Sequence, residues 1–158
     1  GATRKPEYRG GVNEMGEVPV LVHGKKKLTQ SAVILTYLSD LTGKFKPQGE
    51  DERLEALRWI VFDNQKVNGF LGPFRFLKNF TKPPGDPAVM AFLQTRAQNN
   101  LAIVDKRLTG RQYLVSDQPT IAHAGAPAPP RPSTSARPIS AIVTNVTRGI
   151  AITLAIAP

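Results

Sequence analysis

The chain has 158 residues, 41% of them apolar and 21% charged, enough for one or two small domains with a real core and too apolar for a disordered segment. It contains no cysteine and only two histidines, His23 and His123, which excludes disulfides, thiolate metal sites and a cysteine nucleophile and argues against a zinc site. The net charge of +9 invites a nucleic-acid partner. The basic residues are scattered, however, and the single dense run, Lys25-Lys26-Lys27, follows the turn signal His23-Gly24. Without aromatic interleaving or a recognition-helix pattern, nucleic acid is not the expected partner. No run reaches the roughly 18 apolar residues of a membrane span, and residues 3–7 lack the apolar core of a signal peptide, so no membrane is expected and the location is expected to be cytoplasmic.

In chain order, Pro6-Glu7-Tyr8-Arg9 can open a short helical turn. Val18 to Val22 reads as a strand whose Pro19 cannot donate to a ladder, so that position belongs at an edge or bend. Gly24 turns the chain into a second strand, Lys27 to Thr29. Ser31 is expected to cap a helix with Val33, Ile34, Tyr37, Leu38 and Leu41 at helical spacing, ended by Gly43. Glu50, Asp51 and Glu52 suit the first turn of a second helix. Its expected buried face runs through Leu54, Leu57, Ile60, Val61, Val67 and Leu71 to a kink at Gly72-Pro73, past which Phe74, Phe76, Leu77 and Phe80 can extend it until Pro83-Pro84-Gly85 breaks it. Asp86 is a cap with Pro87 at the first helical position. Val89, Phe92, Leu93, Ala97, Leu101, Val104 and Leu108 then mark a helix about 33 Å long, closed by Gly110.

Composition changes near residue 123. All 12 acidic residues precede Ala122, and from His123 onward there is no Lys, Phe, Tyr or Trp. Prolines 127, 129, 130, 132 and 138 exclude helix and central strand from the first half of that tail. A natural linker with a terminal strand, and an out-of-frame or rearranged coding end, both explain this change.

The paired motifs Glu17-Val18-Pro19-Val20-Leu21 and Leu28-Thr29-Gln30-Ser31-Ala32-Val33-Ile34 resemble the cytosolic glutathione transferases over residues 1–122. Tyr113-Leu114-Val115 with Gln118-Pro119-Thr120-Ile121-Ala122 resembles the family's entry into its buried core helix. The resemblance implies an α+β fold: an incomplete thioredoxin-like N-terminal domain, residues 1–45, followed by an all-helical glutathione transferase-type C-terminal domain, residues 50–122. An irregular Pro/Ala-rich tail occupies 123–158. It implies a cis Val18–Pro19 bond that turns the main chain of Val18 toward a peptide ligand, and a glutathione site made of Val18, Pro19, Gln30 and Ser31. Gln30 and Ser31 would hold the γ-glutamyl end at a helix N-terminus, and Val18 the cysteinyl backbone. Glutathione is the implied co-substrate, with no metal. A small electrophile to be conjugated or reduced is the implied second substrate, and a homodimer the family's usual state.

Two departures weaken the implied activity. The family's first strand and helix, which carry the residue that activates the glutathione thiol, have no counterpart, so no catalytic residue is assigned and the truncated form is open to being inactive. A non-catalytic thioredoxin- or transferase-like module binding peptide or protein is the alternative. At the core-helix start, Thr120 keeps a cap residue, but His123 stands where the family has an aspartate completing a capping box. Trp59, Phe62, Phe70, Phe74 and Phe76 are expected to pack rather than line an electrophile pocket, and Tyr8 receives no catalytic role.

Overall fold

A computed structural model describes residues 2–123, which form two compact units, 2–46 and 47–123. The tail assigned to 123–158 lies, apart from the backbone of His123, outside the described residues.

In the first unit a short 3-10 turn, Ala2–Arg4, leads into helix α1, Pro6–Gly11. Pro6 stands in the first helical turn, where its missing N–H costs nothing. Strands β1, Val20–His23, and β2, Lys26–Thr29, pair antiparallel from Val20 opposite Thr29 to His23 opposite Lys26. The two-residue connection uses Gly24 at φ +58°, a conformation glycine adopts without a Cβ penalty. Helix α2, Ser31–Thr42, ends on Gly43 at φ +71°, whose N–H donates to the carbonyl of Ser39. A two-stranded sheet is marginal by itself. Here it is backed by α2, whose Ile34 is buried, and tied to α1 by Lys27 Nζ donating to the Gly11 carbonyl at 2.9 Å.

Two expectations shift. The ladder starts at Val20, not Val18, because Pro19 has no N–H to give it. The N-cap of α2 is Gln30 rather than Ser31, and no side chain caps the helix.

The second unit holds helix α3, Gly49–Phe62, a π-helical turn, Asp63–Val67, helix α4, Asn68–Asn79, and helix α5, Pro87–Leu108, with a 3-10 turn at Ile121–His123. Glu50, Asp51 and Glu52 do fall in the first turn of α3, where they favour the dipole. Asp86 caps α5, its Oδ1 accepting from the N–H of Ala88 at 2.8 Å and of Val89 at 3.2 Å. One core cluster joins Val67 and Leu71 to Ala97 and Leu101, with Phe62, Phe70, Phe74 and Val104 against it. A second joins Ala56 and Trp59 to Val115.

The buried face of α3 differs from the expected one. Ala56 and Trp59 are inside, while Leu54, Leu57 and Val61 are about half exposed. Val89 and Phe92 of α5 are similarly outside. Helix α4 runs past Pro73 and stops before Pro83, as expected, while an unexpected irregularity falls upstream in the π turn. Asn100 of α5 steadies that turn by donating to the Lys66 carbonyl at 2.6 Å. Trp59, Phe62, Phe70 and Phe74 pack in or against the core, as expected, whereas Phe76 is half exposed and stacks on Phe80.

Thr120 is buried, and its hydroxyl has no hydrogen-bond partner among the described residues. A cap hydroxyl needs the N–H groups of a following helix to receive. Only the 3-10 turn follows within the described residues.

Candidate functional site

The candidate site is built at the open end of the β1–β2 hairpin. The ladder stops at Val20 and Thr29, so the next residues along the two strands are Pro19 and Gln30, flanked by Val18 and Ser31. The two motifs, ten residues apart, are thereby brought side by side.

The Val18–Pro19 peptide bond is cis. Val18 is 70% exposed, and neither its N–H nor its C=O has a hydrogen-bond partner among the described residues. An exposed main-chain donor and acceptor beside a strand end can pair with an extended peptide as a further strand would.

The loop that presents Val18 is held firmly from behind. The Glu17 carbonyl accepts from Tyr8 Oη at 2.9 Å and from Asn13 Nδ2 at 2.8 Å. Asn13 is buried, and its Oδ1 accepts from the N–H of Met15 at 3.1 Å, an Asx turn that shapes the loop. Gly16 follows at φ +71°, where a Cβ would come within 2.9 Å of the Thr3 carbonyl. Tyr8 is thus part of the scaffold, its hydroxyl committed to the main chain. Sequence reasoning missed this clamp, although Asn13 and Gly16 around a Pro motif are turn signals.

Gln30 adopts φ +66° and ψ +119°, a conformation that L side chains rarely take. Such strain costs on the order of 1–3 kcal/mol and concentrates where residues meet ligands. The Gln30 side chain turns back to the loop: Nε2 donates to Glu17 Oε2 at 3.1 Å and contacts Met15 Sδ at 3.0 Å. Ser31 is the exposed first residue of α2, and its hydroxyl makes no capping bond. The hydroxyl and the unpaired N–H groups of the first turn therefore face outward together, with the helix dipole favouring negative charge there.

The helical unit carries a separate electrostatic cluster. Glu55 accepts from Arg58 Nε at 2.8 Å and Nη2 at 2.7 Å, from Trp59 Nε1 at 2.9 Å, and pairs with Arg107 Nη2 at 3.1 Å. The Arg58 hydrogen bonds, with smaller help from Trp59 and the two positive charges, pull the Glu55 carboxyl down to about 2 against the opposing effect of burial. Arg107 Nε also donates to the Leu114 carbonyl at 2.8 Å. Burial pushes the Asp63 carboxyl up, opposed by a 3.2 Å bond from Asn68 Nδ2. The Glu55 cluster is structural: its donors are satisfied within the unit and tie α3 to α5 and to the segment after it. Among the described residues no three His, Asp or Glu side chains gather as a metal site, and no helix is long and apolar enough to cross a membrane.

The fold and the hairpin-end site define a class, an incomplete thioredoxin-like unit followed by a helical one. Residues 3–40 match the family model of the glutathione S-transferase N-terminal domain. A glutathione S-transferase of Xanthomonas campestris is 35% identical over 133 residues, covering 79% of this chain and 61% of that protein. A glutathione S-transferase of Arabidopsis thaliana is 26% identical over 127 residues, covering 74% and 57%. Among solved structures, a glutathione transferase from Burkholderia graminis with two glutathione molecules bound per subunit superposes with a TM-score of 0.69 at 26% identity, over 77% of this chain and 53% of that one. A family member from Pseudomonas fluorescens with two glutathione bound gives 0.68 at 26%, over 77% and 56%. The family this chain resembles in sequence and fold is therefore that of the glutathione transferases, and the chain spans about three fifths of the length of the curated relatives it matches.

Proposed function

We propose that residues 2–46 hold glutathione and that the chain serves a glutathione transferase, conjugating the tripeptide to a small electrophile or using it in reduction. The observation that carries this reading is the exposed, unpaired main chain of Val18 beside the free hydroxyl and first-turn N–H groups of Ser31. A γ-linked tripeptide offers the matching groups, an extended backbone at its cysteinyl residue and a carboxylate at its γ-glutamyl end. In this reading Val18 pairs with the cysteinyl backbone, Pro19 fixes the bend, and Gln30 and Ser31 receive the γ-glutamyl end. The relatives support it, since solved neighbours contain glutathione. The domains are residues 1–45 and 50–122, in a cytoplasmic homodimer.

Calorimetric titration of the full chain with glutathione tests this. Saturable binding that weakens about tenfold in Ser31→Ala is the expected result, a charge-assisted hydrogen bond being worth about 1.5 kcal/mol or more. Absence of binding, or binding indifferent to Ser31→Ala, sinks the assignment.

A further inference from the structure

We propose that Glu17 is a specificity-determining residue, its carboxylate selecting ligands that carry an α-ammonium group beside the carboxylate received at Ser31. The inference rests on the glutathione reading above and deepens it.

The hydrogen bonds of Gln30 leave it an acceptor. Its amide nitrogen has two hydrogens, and it faces two acceptors, Glu17 Oε2 at 3.1 Å and Met15 Sδ at 3.0 Å. The opposite orientation of the amide would set its oxygen against the Glu17 carboxylate, two acceptors face to face, so the nitrogen belongs there. With both donors engaged, the atom Gln30 keeps for a ligand is Oε1, an acceptor. Glu17 supplies further acceptor capacity, because its carboxylate has about four lone-pair sites and takes one hydrogen bond among the described residues. No Lys, Arg or His pairs with Glu17 among the described residues. The residue is not free to swing away at its backbone, since its carbonyl is pinned by Tyr8 and Asn13.

Two adjacent acceptors, one of them an uncompensated anion, repel a carboxylate and suit an ammonium with its three donors. The first turn of α2 next to them, with its outward N–H groups and the Ser31 hydroxyl, suits the carboxylate. Together they read a zwitterionic amino-acid end. This reassigns Gln30: it meets the ammonium of the γ-glutamyl group rather than donating to its carboxylate.

The test compares glutathione with its des-amino analogue, in which a glutaryl group replaces γ-glutamyl, on the full chain and on Glu17→Gln. That variant keeps an oxygen to accept from Gln30 Nε2 but removes the charge. The unaltered chain should bind glutathione about tenfold more tightly than the analogue. In Glu17→Gln that preference should fall to within about twofold through weaker glutathione binding, with the analogue no weaker than before. Equal weakening of both ligands would mean that Glu17 only holds the loop, and tighter glutathione binding that its carboxylate competes with the ligand's; either overturns the inference, as does no change. If the unaltered chain binds both ligands equally, the inference falls while the glutathione reading stands. Binding of neither removes both.

Discussion

Replacing Glu55 with Gln should destabilise the helical unit by about 2 kcal/mol at pH 7, and the loss should fade in acid. A carboxyl lowered from 4.5 to about 2 by its partners corresponds to about 3 kcal/mol of charge-dependent stability. The strongest partner, Arg58, is 57% exposed on its side chain, so water screens part of that interaction and the expected value is smaller. Because the folded value is depressed, the stabilisation is complete above the unfolded value of 4.5 and is lost as the pH falls through about 2. Urea unfolding of the chain and of Glu55→Gln, followed by fluorescence of Trp59, should give a gap at pH 7 that shrinks to less than half at pH 3. A gap of the same size at both pH values would assign the loss to packing around Trp59 rather than charge. A gap below about 0.5 kcal/mol at pH 7 would mean that the cluster holds nothing together.

Three further outcomes follow from local geometry. Asp86→Ala removes the acceptor for two N–H groups at the start of α5 and should cost about 1 kcal/mol, measured by thermal or urea unfolding; no loss would deny Asp86 its capping role. Gly16→Ala forces a side chain into positive φ with its Cβ against the Thr3 carbonyl, and should cost about 1–2 kcal/mol locally. Faster hydrogen exchange at the amides of Met15 and residue 16 would register it, and unchanged exchange would contradict it. Gln30→Gly relieves the positive φ, so stability should hold or rise by up to about 1 kcal/mol while glutathione affinity falls at least tenfold in calorimetry. A parallel fall in stability and affinity would show that the Gln30 conformation is not strained.

What could be read from the sequence was local. Pro19 next to a strand, Gly24 in a turn, Gly43 after a helix and Asp86-Pro87 before one each act through their own backbone within a few residues. What could not be read depends on distant partners. Ala56 rather than Leu57 lies inside α3 because Trp59 and Val115 meet there, and the latter is 56 residues further along the chain. The Glu55–Arg107 pair is also remote in sequence. The helix was expected to run past Pro73, and packing of Leu71 against Ala97 and Leu101 accompanies its doing so. Nothing local marks the π turn at Asp63–Val67, and the cis bond at Lys82–Pro83 also went unanticipated. At the candidate site, the residue types of Val18, Pro19, Gln30 and Ser31 were legible. The strained Gln30 backbone and the Glu17 clamp were not, because a non-glycine residue at positive φ carries no sequence signature.

Glutathione bound by residues 2–46 at the open end of the hairpin should be visible in the backbone amide chemical shifts of the full chain as glutathione is added. Saturable shifts centred on the amides of Val18, Ser31 and Ala32 are expected, with the amides around Trp59 and Leu101 unmoved. Shifts centred on the helical unit, or none at millimolar glutathione, would contradict binding at the hairpin end.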